Sequence, residues 1–173
     1  MDFWQVIRSR YSVREYAPDQ DVSPELVTGL LSAALEAPSA GNLQAWHFVV
    51  VRDATTRAAL AHAALDQMFV ATAPVVIVVC ADPERSATRY GERGRVLFTL
   101  QDTAAATQNL LLAATALGLG ACWVGAFDEQ EARRALGLRP GLRPVAIVPV
   151  GYPRAPGRRE TSRRPLSKVT TYL

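Results

Sequence analysis

Two guanidinium side chains flank a hydroxyl in Arg10-Tyr11-Ser12-Val13-Arg14, where the first helical stretch of the chain breaks. Arginine grips phosphate oxygens bidentately and a serine hydroxyl adds a further contact, so this segment has the chemistry of an anion clamp. On its own it reads equally well as solvated surface. A second specialised stretch, Ala37-Pro38-Ser39-Ala40-Gly41-Asn42-Leu43-Gln44-Ala45-Trp46, joins an apolar helical run to the β-type run His47-Phe48-Val49-Val50-Val51. Pro38 and Gly41 fix an irregular backbone, while Ser39, Asn42 and Gln44 carry donors and acceptors suited to the edge of a heterocycle. A plain helix cap and turn would use Ser, Gly and Asn but would not require Gln44 or Trp46. A third stretch, Gly118 to Phe127, ends a strand in Gly125 and Ala126, two small residues that let a ligand approach a backbone N–H. Gly125 is equally readable as a bend. Together the three stretches suit an anionic, planar cofactor.

Other chemistries are poorly served. His47 and His62, the only histidines, lack Cys, Asp or Glu neighbours at ligand spacing, so no metal site is expected. There is no GxSxG nucleophile elbow, no Walker A loop and no GxGxxG after a strand. With 173 residues, 49% hydrophobic and 20% charged, the chain fits one compact domain with a sizeable core. Cys80 and Cys122 each sit in an apolar run and read as buried, reduced thiols, which points to the cytoplasm. The opening residues lack the apolar core of a signal peptide, and no apolar run reaches the roughly 18 residues of a membrane helix. Charge is concentrated late: Pro153 to Leu173 carry five Arg and one Lys against one Glu, a balance of +5 in a chain whose total is +3. Arg8, Arg10 and Arg14 form a second basic cluster near the other terminus.

The elements that must position these residues follow from period and punctuation. Phe3, Val6 and Ile7 behind Asp2 predict a helix over 2–8, and Ser23-Pro24 opens another that Pro38 stops. A strand is expected over 46–51, then a helix from Asp53 to about Ala64. Pro74 to Cys80 is a continuous β-branched run, which predicts a strand buried on both faces. Pro83 to Arg95 reads as a polar, Arg-rich excursion, within which Tyr90 to Arg95 either lines a substrate face or is a simple exposed connection. After it the longest element, Val96 to Leu117, is poor in charge beyond Asp102 and is expected to be largely buried, against a partner as well as its own sheet. A short strand at 121–124, a helix from Asp128 to Leu136 ended by Gly137, and a strand at about 143–150 complete the order. Trp4, Trp46 and Trp123 read as core or interface aromatics.

In this order and spacing, RYSVREY, APSAGNLQAWHFVVV, TAPVVIVVCAD, QDTAAATQNLLLAATALGLGACWVGAF and the closing RRPL resemble the nitroreductase family of FMN-dependent oxidoreductases. The resemblance spans nearly the whole chain, and PSAGNLQ and QNLLLAATALGLGACWVG are its most specific pieces. It implies an α+β, three-layer fold with a mainly antiparallel sheet between helices, in an intertwined homodimer with two FMN sites at the interface. Residues 1–152 would form the FMN-binding domain and 153–173 a basic extension over the partner. By resemblance Arg10 and Ser12 meet the phosphate, Arg14 the pyrimidine edge, and Tyr11 contributes backbone. Pro38, Ser39 and Ala40 would lie along the flavin of the neighbouring subunit, with Asn42 and Gln44 shaping the same pocket. Gln67 would meet the pyrimidine ring, the Gly125 N–H with Ala126 beside it would face flavin N5, and Arg164, with Arg163, would close on the phosphate. Ala45 departs from the family's usual Pro, and the family's acidic residues after RRPL are missing.

The implied reaction is ping-pong: NADH or NADPH reduces the flavin, and a nitroaromatic, quinone or similar electrophile reoxidises it, with the flavin rather than a side-chain dyad carrying the chemistry. The same resemblance covers dehalogenases, enone reductases and an enzyme that breaks down its own flavin. A non-catalytic flavin carrier is a further alternative. A basic nucleic-acid-binding module is disfavoured because no aromatics interleave the tail arginines.

Overall fold

The most apolar run of the chain becomes the second strand of a four-stranded sheet, and helices cover both of its faces. In the computed structural model, which describes residues 1–155, 157 and 161–173, the strands are β1 (Trp46–Val51), β2 (Val75–Ala81), β3 (Gly120–Ala121) and β4 (Arg143–Gly151), in the order β1-β2-β4-β3. All three pairings are antiparallel, with Val49 opposite Val78 and Ile77 opposite Val148. Every residue of β2 is buried.

Alternation along β2 sorts its side chains into two apolar layers. Val75, Ile77 and Val79 face α2 (Pro24–Leu35) and α6 (Thr99–Ala116), meeting Leu30, Leu110 and Ala114. Val76, Val78 and Cys80 face the opposite layer, with Leu60 of α3 (Ala54–Ala63), Val70 of α4 (Phe69–Thr72) and Ala132 of α7 (Glu129–Leu136). Truncating a fully buried side chain such as Ile77 to Ala would cost about 2–5 kcal/mol. The expected helix–sheet–helix layering and antiparallel sheet are therefore present. Among the described residues no helix is long and apolar enough to cross a membrane.

Helix starts follow the capping residues. Asp2, Ser23, Asp53 and Asp128 each accept a hydrogen bond from the amide three residues on, at 2.9, 3.3, 2.7 and 2.8 Å, and each such cap contributes about 1 kcal/mol. Asp2 forms a full capping box with Gln5 at the start of α1 (Phe3–Ser9).

The polar excursion at 83–95 is not a simple connection. Asp82 caps it, Pro83 occupies its first turn, and it forms α5 (Pro83–Arg93), followed by a π-type turn over Gly94–Phe98 that leads into α6. Its polar, largely exposed surface is why apolar spacing did not mark it as a helix. Likewise α4 is too short to show a period. The strand expected over 121–124 is shorter, since β3 ends at Ala121; past it the Cys122 N–H donates to the Pro149 carbonyl at 3.3 Å and Val124 bridges Ile147 through paired bonds at 2.9 and 3.0 Å. Beyond β4, Pro153 bridges Tyr16 and the Arg154 N–H donates to the Glu15 carbonyl at 3.0 Å. Of the basic tail, Arg158 and Arg159 lie outside the described residues.

Candidate cofactor site

The arginine segment owes its position to the edge of the sheet. After α1 the chain turns extended at Arg10, Ser12 bridges Ala121 in parallel, and the Val13 N–H donates to the Ala121 carbonyl at 3.0 Å. Val13 and Tyr16 are buried, and the Tyr16 hydroxyl donates to the Val13 and Pro149 carbonyls at 2.9 and 3.1 Å, which ties the segment to β4. Burial pushes the Tyr16 phenol far up. The contact is close enough to require Gly120: a Cβ there would fall 2.6 Å from a Val13 methyl carbon.

With Val13 packed inward, Arg10, Tyr11, Ser12 and Arg14 join Thr161 and Arg163 around a cavity of about 290 Å³. Arg14 also lies 5.7 Å over the Phe69 ring, and Arg163 Nη1 donates to Thr161 Oγ1 at 2.8 Å. Cys122 is buried beside this cavity. Burial pushes its thiol up, opposed by Arg14, a hydrogen bond with Ser12, and Arg10. Three guanidiniums and two aliphatic hydroxyls converge with no carboxylate among the described lining residues, a donor set that fits a phosphate. Arg164 is not among the residues lining this cavity, and its Nη2 donates to the Lys168 carbonyl at 3.0 Å.

A second group stands at the end of the same sheet edge. The chain leaves α3 through Leu65 and Asp66, both at positive φ (58° and 59°), which delivers Gln67. Its Nε2 donates to the Ala64 carbonyl at 2.9 Å and to the Ala126 carbonyl at 3.3 Å, so Gln67 and Ala126 do meet. Gly125 and Ala126 are exposed just past the Val124–Ile147 bridge. Among the described residues the Gly125 N–H has no partner.

The loop between α2 and β1 is built differently. Three of its residues adopt positive φ: Gly41 (57°), Asn42 (54°) and Gln44 (52°). Asn tolerates this conformation, whereas a Gln there costs on the order of 1 kcal/mol. The loop is pinned from all sides. The Ala40 N–H donates to Asp102 Oδ1 at 3.0 Å, the Gln44 N–H to Ser39 Oγ at 2.9 Å, and Gln44 Nε2 to Asn42 Oδ1 at 3.2 Å. The Ala45 carbonyl accepts from the Asp82 N–H at 3.0 Å and from Thr99 Oγ1 at 3.3 Å, while Arg85 Nε donates to the Leu43 carbonyl. Pro38 is exposed ahead of the pinned turn. None of residues 38–44 lines the arginine cavity of the same chain.

Asp102 was not singled out as a site residue in the sequence. It is 5% exposed, its Oδ2 is buried without a partner among the described residues, and burial holds its carboxyl above the ordinary carboxylate range despite the Ala40 amide. The available signal was an acid inside an otherwise Ala/Leu-rich helix. Thr161 and Cys122 were likewise missed, and nothing in local spacing marks them.

Comparison with known proteins bears on this geometry. The sequence matches the model of the nitroreductase family over residues 7–72 and 65–152. An Archaeoglobus fulgidus protein provisionally named an NADH dehydrogenase/NAD(P)H nitroreductase is 38% identical over 154 residues, 87% of this chain and 84% of that one. An NADH dehydrogenase of Thermus thermophilus is 34% identical, over 94% of this chain and 92% of its own. The crystal structure of a nitroreductase family protein from Clostridium novyi NT superposes with a TM-score of 0.79 at 31% identity, covering 89% of this chain and 86% of that one.

Proposed function

The chain belongs to the nitroreductase family, and from that premise we propose that it is an FMN-dependent oxidoreductase that draws on NADH or NADPH and delivers to nitroaromatic, quinone or similar electrophilic acceptors. The observation that carries this reading is the convergence of Arg10, Ser12 and Arg14 with Arg163 and Thr161 on one cavity. FMN, when bound, supplies hydride acceptance at its N5 and onward electron transfer.

The remaining work falls to the chain. Arg10, Ser12, Arg14 and Arg163 hold the phosphate by charge-assisted bonds, each stronger than a neutral one. Gln67, fixed by the Ala64 and Ala126 carbonyls, presents its amide to the pyrimidine edge, and the exposed Gly125 N–H is the donor toward N5. Arg14 adds positive charge on the pyrimidine side. Tyr11 lines the phosphate cavity beside them. Reductant and acceptor would use the same site in turn, a ping-pong cycle.

Pro38, Ser39, Ala40, Asn42 and Gln44 form the wall for a flavin held by a second copy of the chain. Their separation from the arginine cavity of their own chain supports this. So does an apolar face around α1, where Phe3 and Trp4 are 64% and 62% exposed and Val6, Ala33, Leu112, Ala113 and Ala116 line a groove of about 380 Å³. Exposed faces of this kind mark association surfaces. The apolar tail residues Leu166, Val169, Tyr172 and Leu173, all exposed, are the part of the extension that covers the second copy.

The test is the visible absorbance of the purified, FMN-supplemented protein under anaerobic conditions, before and after NADH and then NADPH. Flavin bands that bleach are expected. Protein without bound flavin would end the cofactor assignment, and bound flavin that neither nucleotide bleaches would leave a carrier without turnover.

A further inference from the structure

The segment from Pro83 to Phe98 presents two cations that the site described above does not use. Its other arginines are occupied. Arg95 is forked onto Glu84 at 2.8 and 3.0 Å and also meets Glu92 at 2.8 Å, while Arg85 donates to the Leu43 carbonyl. Arg89 and Arg93 differ: among the described residues neither meets a carboxylate. Each instead lies over an aromatic ring, Arg89 at 5.6 Å from the Tyr90 centroid and Arg93 at 5.3 Å from that of Phe98. The two rings touch edge to face, with centroids 5.1 Å apart at 81°. A guanidinium laid on a ring is steadied through its face, which leaves its N–H edge free for an in-plane partner.

The backbone is shaped to bring these four side chains together. α5 breaks at Gly91 (φ 54°, ψ −138°), a conformation essentially restricted to glycine, and after Glu92 and Arg93 the five residues Gly94–Phe98 form the π-type turn. Such turns recur at functional sites. The resulting ledge abuts the cofactor loop. A Cβ on Gly41 would fall 2.6 Å from the Tyr90 hydroxyl oxygen and 2.9 Å from Arg89 Nη1, so both side-chain tips reach the loop backbone at a position whose φ of 57° already favours glycine. Ledge and loop therefore form one continuous surface, with Arg89 against Gly41 and Arg93 farther along it, over the Phe98 ring that meets Tyr90.

We propose that Arg89 and Arg93 bind an anionic group, a phosphate or carboxylate, on the molecule that reacts at the flavin, so that a cosubstrate is selected for its charge. This rests on the flavin reading of the loop. Two sources share the chemistry: the 2′-phosphate that distinguishes NADPH from NADH, and an acid group on an aromatic acceptor. Because both side chains are exposed, the preference weakens as salt is raised.

The test compares wild type with Arg89→Ala, Arg93→Ala and the double variant. One arm titrates adenosine 2′,5′-bisphosphate and adenosine 5′-phosphate calorimetrically, and measures kcat/KM for NADPH and NADH with nitrobenzene as a neutral acceptor. The other compares 4-nitrobenzoate with nitrobenzene as acceptors under NADH. A loss of about tenfold in the NADPH/NADH ratio, matched by weaker bisphosphate binding, assigns the anion to the reductant. The same loss confined to the nitrobenzoate/nitrobenzene ratio assigns it to the acceptor. Lysine at both positions should restore only part, since it keeps the charge and loses the fork. Both ratios and the bisphosphate affinity moving by less than about twofold would overturn the proposal. Selective bisphosphate binding by a protein that takes up no FMN would keep the ledge and remove the flavin reading. FMN-loaded protein that NAD(P)H reduces, yet is indifferent to the substitutions, would do the reverse.

Discussion

At Arg10–Arg14 the backbone is ordinary extended chain resting on the sheet edge, and the side chains are cations gathered around an open cavity. At Pro38–Ala45 the side chains are small or amide-bearing, and the backbone is held at positive φ by Asp102, Thr99, Asp82 and Arg85. The first region gathers like charges that an anion would offset. The second is finished before any ligand arrives. Losses in the first should therefore appear in ligand affinity with little change in the free protein, whereas losses in the second should appear in both.

The largest effect is expected from Arg10→Ala combined with Arg14→Ala. Losing two charge-assisted contacts should weaken FMN binding by about 100-fold or more, read by quenching of flavin fluorescence, while the melting temperature of FMN-free protein stays close to wild type. A large drop in that temperature would erase the contrast between the regions.

Next comes Asp102→Ala, which leaves the Ala40 N–H without its acceptor. A cost of about 1–3 kcal/mol in denaturant unfolding of the FMN-free protein is expected, together with weaker FMN binding. Asp102→Asn retains an Oδ1 acceptor and should restore both. It also sharpens the electrostatic reading. Burial raises the Asp102 carboxyl above its ordinary range, so the native chain holds that proton more tightly than the unfolded one, and ionisation costs stability as pH rises. The Asn variant should gain on wild type from the unfolded carboxylate value, about 3.9, upward, and stop gaining above the folded value. Equal pH profiles of melting temperature for the two proteins would contradict this.

Smaller still is Arg163→Ala, expected to weaken FMN binding by about three- to tenfold, since an exposed tail cation contributes less than one on the sheet edge. Arg164→Ala should leave the affinity unchanged, because that side chain turns back to the Lys168 carbonyl. Equal losses from both would mean that the tail acts only through its net charge.

Much of this was legible in the chain because it is local. The caps at Asp2, Ser23, Asp53 and Asp128, the buried run of β2, and the cation cluster at Arg10–Arg14 each declare themselves within a few residues. The same holds for the irregular loop, whose Gly41 and Asn42 mark positive φ. What stayed hidden depends on distant partners or on the absence of burial. α5 carries charge over most of its surface, so no apolar period marks it. The role of Asp102 depends on an amide 62 positions away. Arg163 and Arg164 are chemically identical neighbours, and only the path of the tail places the former at the cavity. The pairing of Tyr90 with Phe98 spans a break at Gly91 that no regular helix would predict.

Calorimetric binding of FMN against riboflavin, which has the same ring and no phosphate, reads directly whether the arginine cavity is a phosphate site completing a flavin pocket. FMN should bind tighter by about 100-fold or more at low ionic strength, with the gap narrowing as salt is added. Riboflavin binding as tightly as FMN, or a gap indifferent to salt, would contradict it.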